Sequence, residues 1–299
     1  MHIIAHRGYS SDHPENTLAS FDFAIENGFY NIELDIHMTK DGVPVVMHDA
    51  DVSRTTDSSG LISEMTFEQI KLLDAGSWFK DRHGYPFPRQ EVPSLEETLR
   101  RYASNAHIFI EIKAAEKEIL YATKEILEHF ELTADGEESD DLDVPGVSII
   151  SFDPDQMIRS KALFPDIKHG FLTTKFDYQE VSFCLSNGIE GLFPYIHSVD
   201  SGVVENIHRD GLFVGVWGLT KADEVGLAIE SGVDGITVDW PQIAKDYIDF
   251  LNFVITGFCP AIFDISFTAL SIIFLSATAS PKPIFSVILV IFGTCILDL

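Results

Sequence analysis

Two acidic residues stand two positions apart in a stretch that otherwise has the pattern of a β-strand. Residues 31–36 alternate apolar and polar side chains, so Glu33 and Asp35 project from the same face of an extended chain. The pair Asp41-Gly42 is a strong hairpin signal, and a turn centred on it sets His48 opposite Asp35. We therefore expect two carboxylates and an imidazole to converge on one small patch.

Two carboxylates on one face repel each other, so their burial requires a compensating cation, a shared proton or open solvent. A divalent cation is the simplest compensation. Mg²⁺ and Ca²⁺ take oxygen ligands, and a site with few protein carboxylates leaves positions for water and a substrate phosphate. The alternative for this stretch taken alone is an exposed edge hairpin that carries charge.

Other residues capable of chemistry stand at the ends of further predicted strands: His6, Arg7, Glu111, Lys113, Trp217 and Asp239. Such strand ends are where α/β folds place their chemistry. Taken singly, each residue has an ordinary structural explanation. A histidine can be a structural hydrogen-bonding group, Lys113 can form a simple ion pair with Glu111, and Trp217 can belong to the core.

Nine candidate strands predict the frame that positions these residues, at 2–5, 31–36, 43–47, 108–113, 147–150, 169–172, 191–193, 212–217 and 235–238. Predicted helices separate most of them. The link between the second and third strands is far too short for a parallel crossover, so one member of that hairpin is an excursion. Eight strands remain, which predicts a (β/α)₈ TIM-type barrel with its site at the carboxyl ends of the strands. A doubly wound open sheet is the competing architecture, but no Gly-rich phosphate loop follows a strand.

Local signals place two helix starts and one insertion. Asn16 is expected to cap the first helix, and Ser94-Leu95-Glu96-Glu97 is a capping box that begins a later one. Residues 50–92 are rich in loops, and we interpret them as an insertion rather than a domain.

Composition limits the partners and the compartment. The 299 residues include 47 acidic and 20 basic side chains, a formal charge of −27 that argues against nucleic acid as a partner. A phosphate site in such a chain needs local cations, from a metal, Arg or Lys. Three scattered cysteines make neither a disulfide framework nor a zinc motif. The first residues resemble a strand rather than a signal peptide, so a cytoplasmic location is expected.

The last part of the chain differs in composition from the rest. We expect a barrel domain over residues 1–250 and an apolar tail over 251–299. Residues 265–279 and 284–297 carry no charge, yet each stretch is shorter than the roughly 20 residues of a spanning helix. The tail is interpreted as a re-entrant or interfacial membrane hairpin, as a longer first span that tolerates Asp264, or as a segment that is not a native part of the protein.

With these residues in place, the chain resembles the glycerophosphodiester phosphodiesterase family over about residues 2–250. The matching motifs are HRG at 6–8, PENT at 14–17, ELD at 33–35, KDG at 40–42, HD at 48–49, RTT at 54–56, EIK at 111–113, VWG at 216–218 and GVDGITVDWP at 232–241. The resemblance implies a metal-dependent TIM-type barrel that cleaves a small glycerophosphodiester into glycerol 3-phosphate and an alcohol.

The resemblance also implies roles by position. Glu33, Asp35 and Glu111 correspond to ligands of one divalent cation, Mg²⁺ or Ca²⁺. His6 and His48 correspond to the general acid and base, and we expect His48 to be the base. Arg7 and Lys113 are similar to the family's phosphate contacts. Beyond these positions, we expect Trp217 to be a wall of the alcohol pocket and Asp239 to lie behind the site.

Three alternatives stay open at this point. The nucleophile is either water or the glycerol 2-hydroxyl. A lysophospholipase D acting on membrane lipids fits the same site residues together with the apolar tail. A catalytically silent binding module held at a membrane is a hypothesis of a different class, although every matched position keeps its functional residue.

Overall fold

The computed structural model describes residues 1–132, 142 and 145–257. Nine strands lie within these residues: β1 His2–Ala5, β2 Asn31–Met38, β3 Pro44–Val46, β4 His107–Ile112, β5 Gly146–Ser151, β6 Lys168–Thr173, β7 Gly191–Pro194, β8 Phe213–Val216 and β9 Gly235–Val238. Because β1 pairs in parallel with both β2 and β9, eight strands close into a barrel. Only β3 is antiparallel, and it pairs with β2. The predicted (β/α)₈ barrel with a hairpin excursion is confirmed.

The helices lie between and after the strands in the chain: α1 Leu18–Glu26, α2 Phe67–Lys71, α3 Leu95–Tyr102, α4 Glu118–His129, α5 Pro154–Leu163, α6 Tyr178–Asn187, α7 Ser201–Arg209, α8 Asp223–Ser231 and α9 Pro241–Gly257. The predicted capping box begins α3, where the Ser94 hydroxyl accepts from the Glu97 N–H and the Glu97 carboxylate accepts from the Ser94 N–H. The predicted cap of α1 was wrong by one residue. Thr17, not Asn16, accepts the capping hydrogen bond from the Ser20 N–H.

The pleat of the strands separates the apolar residues of the core from the acidic ones. On β2, Ile32, Leu34 and Ile36 pack with the large cluster that lies beneath the helices. Successive side chains on a strand point to opposite faces, so Glu33 and Asp35 point into the barrel. The barrel interior has its own apolar layer: Ile4, Phe109, Ile150, Leu172 and Phe193.

The hairpin between β2 and β3 is offset by one residue from the prediction. Ile36 pairs with Val46, and the Met47 N–H donates to the Asp35 carbonyl, so Met47 rather than His48 lies opposite Asp35. The loop has three residues between Thr39 and Val43, and Gly42 adopts φ +86° at its end. A three-residue loop of this kind is a type I turn followed by a left-handed residue, whereas the prediction assumed a two-residue loop.

The segment between β3 and α3 is loop-rich, with two short 3₁₀ turns and the five-residue α2. It packs against β3 through a small separate cluster: Val45, Met47, Val52, Ile62, Ile70, Ala75 and Val92. This cluster anchors the hairpin and the loop that follows it on the outside of the barrel.

The chain divides into two compact units, Met1–Ile248 and Asp249–Leu299. The described part of the second unit ends with α9 at Gly257. The apolar stretches 265–279 and 284–297 lie outside the described residues, so the role of the tail stays a prediction. Within the part of the chain that the structure describes, no helix combines the length and the apolar character that crossing a membrane requires.

Phe193 offers a test of the barrel interior. Its ring lies where a Cβ on Gly170 of β6 or Gly215 of β8 would overlap it. Gly215→Ala is therefore expected to lower the free energy of unfolding by about 1–3 kcal/mol, measured by urea denaturation. In a Phe193→Leu background the same change should cost less, because the ring is gone. Equal costs in both backgrounds would show that the ring does not require the glycine.

Candidate active site

Three carboxylates from two neighbouring strands meet inside the barrel. Glu33 and Asp35 come from β2 and Glu111 from β4, and one carboxylate oxygen of each lies within 4.8 Å of the others. Asp35 stands directly opposite Glu111 in the parallel register. All three side chains are buried. The structure thus brings together the predicted metal ligands.

Two cations lie against this trio. The Arg7 Nε is 3.2 Å from the Asp35 Oδ2. The Lys113 Nζ is 2.7 Å from the Glu111 Oε1 and 3.3 Å from the Asp35 Oδ1. Two cations do not neutralise three carboxylates, so the cluster carries a net negative charge when all its members are ionised.

The imbalance appears in the pKa values of the trio. Burial, together with the charges of Asp35 and Glu111, raises the pKa of Glu33 well above its ordinary value. Burial and Asp35 raise the pKa of Glu111 to about 7. Burial also opposes ionisation of Asp35, but Arg7 and Lys113 outweigh it and lower the pKa of that carboxyl group.

The trio fits a divalent cation. Glu33 accepts the Arg7 N–H with Oε2 (3.0 Å), while its buried Oε1 has no hydrogen-bond partner among the described residues. A buried carboxylate oxygen without a donor is costly, and a cation at the centre of three carboxylates would satisfy it. A donor set made only of oxygens suits Mg²⁺ or Ca²⁺ rather than a soft metal.

A strained turn after β1 aims Arg7 at the trio. Arg7 has φ +55°, a conformation that costs a non-glycine residue energy and is found at functional sites. The next residue, Gly8, has φ +82°, and a Cβ there would overlap Ser20 of α1. The Ser20 hydroxyl donates to the Arg7 carbonyl (3.0 Å). Helix α1 therefore holds the turn in place, and the turn directs the Arg7 N–H at Glu33.

Asn16 belongs to the site, which sequence reasoning missed. Its Nδ2 donates to the Asp35 Oδ2 (2.8 Å), and its Oδ1 accepts from the Asp35 N–H (3.3 Å). Its backbone is left-handed, with φ +57°, and its N–H donates to the Arg7 carbonyl. The signal that could have found it is its place in the PENT motif.

His6 stands beside the trio and is supported by Asp239. The His6 Nδ1 lies 2.6 Å from the Asp239 Oδ1, which also accepts from the Ser10 hydroxyl (2.9 Å). Although burial opposes it, the hydrogen bond from His6 lowers the pKa of Asp239, so this carboxylate only accepts. The proton therefore sits on Nδ1, and Nε2 lies 3.9 Å from the Glu33 Oε2.

His48 has a matching partner in Asp49. The His48 Nδ1 is 2.6 Å from the Asp49 Oδ1. Hydrogen bonding from Arg54, joined by His48, holds the pKa of Asp49 at about 2, so Nδ1 is again the donor and Nε2 is left to accept. Burial lowers the pKa of His48 despite the nearby charge of Asp35. A neutral imidazole is therefore favoured at neutral pH.

Arg54 and Glu15 extend the hydrogen-bonded pair of His48 and Asp49. No role was assigned to either residue from the sequence. The Arg54 Nε donates to the Asp49 Oδ2 (2.5 Å). Its two terminal nitrogens donate to the two oxygens of Glu15 (2.7 and 2.8 Å). Glu15 in turn accepts from Arg7 (2.8 Å). Both residues lie in motifs quoted for the resemblance, PENT and RTT, which are the only sequence signals for them.

Trp217 lies at the mouth of the barrel, just after β8. Its indole N–H donates to the carbonyls of Phe193 (3.0 Å) and Thr173 (3.2 Å), which fixes the ring. The rings of Phe152 and Tyr195 each have their centroids 5.2 Å from it. Phe152 is 41% exposed, and the Lys113 Nζ lies 5.8 Å from its ring centroid. These aromatics form an apolar wall that begins where the charged cluster ends.

Comparison with known proteins identifies related chains. A sequence profile described as the glycerophosphoryl diester phosphodiesterase family matches residues 6–243. A glycerophosphodiester phosphodiesterase of Caldanaerobacter subterraneus subsp. tengcongensis is 32% identical over 248 residues, which cover 80% of this chain and 94% of that one. One of Bacillus altitudinis is 29% identical, covering 81% of this chain and 96% of that one.

A solved structure shares both the fold and part of the sequence. It is an Oleispira antarctica phosphodiesterase in complex with the product sn-glycerol-3-phosphate. The match has a TM-score of 0.71 and 29% identity, and it covers 83% of this chain and 97% of that one.

The pKa of Glu111 predicts a pH-dependent stability for the metal-free protein. A carboxyl group with a raised pKa in the folded state stabilises the fold below its ordinary pKa and loses that contribution as the pH rises through the folded value, here from about 4.5 to about 7. In EDTA, Glu111→Gln should therefore gain stability over the wild type between pH 5 and pH 8, by up to about 3 kcal/mol in urea unfolding. The exposed Glu96→Gln is the control, and a difference that does not vary with pH would contradict the assignment.

Proposed function

The chain belongs to the glycerophosphoryl diester phosphodiesterase family and is a phosphoric diester hydrolase, and from this premise we propose a site chemistry. One divalent cation, Mg²⁺ or Ca²⁺, binds Glu33, Asp35 and Glu111. His6 and His48 carry the protons as a glycerophosphodiester is hydrolysed to glycerol 3-phosphate and an alcohol. The observation that carries the proposal is the buried, under-neutralised carboxylate trio, with His6 3.9 Å from Glu33 and His48 close enough to interact electrostatically with Asp35.

The charged residues bind and orient the phosphodiester. When bound, a divalent cation supplies positive charge that offsets the charge of the phosphate. Arg7 and Lys113 lie beside the same carboxylates that would hold the cation. Those of their N–H groups that do not bind a carboxylate can donate to phosphate oxygens. Donors fixed in this way stabilise the charge that develops in the transition state without reorganising.

The histidines move the protons. Attack by water or by the glycerol 2-hydroxyl releases one proton from the nucleophile, and the leaving alkoxide needs one. Attack by the 2-hydroxyl forms a cyclic phosphate, which a water molecule then opens to glycerol 3-phosphate. His48, whose pKa is lowered by burial, suits the base because its Nε2 is free to accept. As the acid, His6 carries a second proton on Nε2 and gives it to the leaving oxygen, while its Nδ1 stays hydrogen-bonded to Asp239.

The apolar wall of Trp217, Phe152 and Tyr195 receives the carbon skeleton of the substrate. It adjoins Lys113, so a phosphate bound at Lys113 places one of its ester groups against these rings. Aromatic faces exclude water from the ester oxygen at that end, which strengthens the charged contacts inside the site.

The metal assignment is tested on the purified full chain with glycerophosphocholine. Release of glycerol 3-phosphate is expected with Mg²⁺ or Ca²⁺, loss after exhaustive EDTA, and recovery when the ion is restored. Replacing both Glu33 and Asp35 by Ala should abolish the activity. Turnover that persists in EDTA, or in the double variant, would contradict the metal assignment.

The same assay separates the alternative functions. A faster rate on a lysophospholipid than on glycerophosphocholine would identify a lysophospholipase D instead, and substrate binding without product would identify a silent binding module.

The division of labour between the histidines is tested with the leaving group. His6→Ala and His48→Ala should each lower kcat/KM by about 10²- to 10⁴-fold on the natural substrate. With a p-nitrophenyl ester, whose leaving group departs without a proton, His6→Ala should recover most of its rate while His48→Ala stays impaired. Equal recovery of both variants, or of neither, would show that the two residues do not divide acid and base roles.

A further inference from the structure

A continuous series of ion pairs, ending in a hydrogen bond to His48, joins two loops of the site. It runs from Arg7 through Glu15, Arg54 and Asp49 to His48, with a contact of 2.8 Å or less at every step. Arg7 comes from the turn after β1, and His48 from the loop after β3. The proposed phosphate contact and the proposed base are therefore connected through side chains alone.

We propose that Arg54 is a positioning residue that holds the base and the phosphate-binding arginine in register with each other. It fixes Asp49 against His48 on one side and Glu15 against Arg7 on the other. This inference rests on the proposed function, in which His48 takes the proton and Arg7 binds the phosphate.

The geometry uses the whole guanidinium group of Arg54. Nε and Nη2 donate to Asp49 (2.5 and 3.3 Å), and both terminal nitrogens donate to Glu15. A planar fork can serve two carboxylates at fixed angles, whereas the ammonium of a lysine is a point charge and cannot. Arg7 is already one of the two cations beside the trio, so Arg54 is the cation that the series adds, and it stands between two carboxylates, Glu15 and Asp49.

Each end of the series orients a group that has a free functional face. At one end Asp49 accepts from the His48 Nδ1, which sets the tautomer and leaves Nε2 to accept a proton. At the other end Glu15 accepts from the Arg7 Nη1, while the Arg7 Nε faces Asp35. Without Glu15, the guanidinium of Arg7 would be free to turn further onto the buried carboxylates.

An ordinary surface ion pair provides the comparison. Arg101 binds both oxygens of Asp22 (2.9 and 2.5 Å) between α3 and α1, with a side-chain exposure of 52% against 42% for Arg54. Exposed pairs of this kind contribute little to stability. Arg101→Ala is therefore a matched control that removes a bidentate arginine remote from the site.

The test measures kcat and KM for glycerophosphocholine at saturating Mg²⁺ with the full chain. Arg54→Ala should lower kcat about 10- to 100-fold and also raise KM, because both ends of the series lose their support. Asp49→Asn should act mainly on kcat, and Glu15→Gln mainly on KM. Each of these changes should cost less in the Arg54→Ala background than in the wild type. Millimolar guanidinium should restore part of the Arg54→Ala rate, and Arg54→Lys should recover only a fraction.

The outcomes separate this inference from the proposed function. If the wild type releases no glycerol 3-phosphate, both fail. If the wild type is active and Arg54→Ala matches Arg101→Ala within twofold in kcat and KM, only the positioning role is overturned. Strict additivity with Asp49→Asn and Glu15→Gln overturns it as well. Should Arg54→Ala be unfolded by circular dichroism, Arg54→Lys decides the question, and full activity in that variant rejects the role.

Discussion

The structure depends on keeping three carboxylates buried inside a barrel where the described residues place two cations, Arg7 and Lys113, beside them. Glu33, Asp35 and Glu111 come from adjacent strands whose outward residues are apolar and firmly packed, so the acidic side chains cannot turn away. The cost of this arrangement is evident in the raised pKa values of Glu33 and Glu111. The apolar core between the strands and the helices offsets this cost. The buried carboxylates in turn form a donor set that suits a divalent cation.

The loops at the carboxyl ends of the strands serve this cluster. The turn after β1 contains two successive left-handed residues, Arg7 and Gly8, and it directs the Arg7 N–H at Glu33. Asn16 does not cap α1. Its side chain instead binds both the backbone N–H and the side chain of Asp35. The barrel holds the ends of these loops in place and so maintains their strained backbone conformations. Functional residues are commonly found on loops that a rigid scaffold positions in this way.

The two histidines have similar partners but different surroundings. Each donates from Nδ1 to an aspartate, so the proposed proton transfers fall to Nε2 in both. Asp239 receives its second hydrogen bond from a serine, whereas Asp49 receives its own from Arg54, a cation. The neutral serine beside Asp239 and the charged arginine beside Asp49 make the two pairs unequal, which agrees with the proposed separate acid and base roles.

Much of the fold was predictable from local sequence because strand periodicity and link lengths are local properties. The alternation in β2 and β4 puts the carboxylates on one face, and the short link to β3 excludes a crossover, which leaves eight strands for a barrel. The hairpin register was not predictable, since Asp41-Gly42 fits either a two- or a three-residue loop. Nor could the sequence pair Arg54 with Glu15, 39 residues apart, or Asn16 with Asp35. Such contacts exist only once closure of the barrel brings its loops to one end, so the tertiary structure alone decides them.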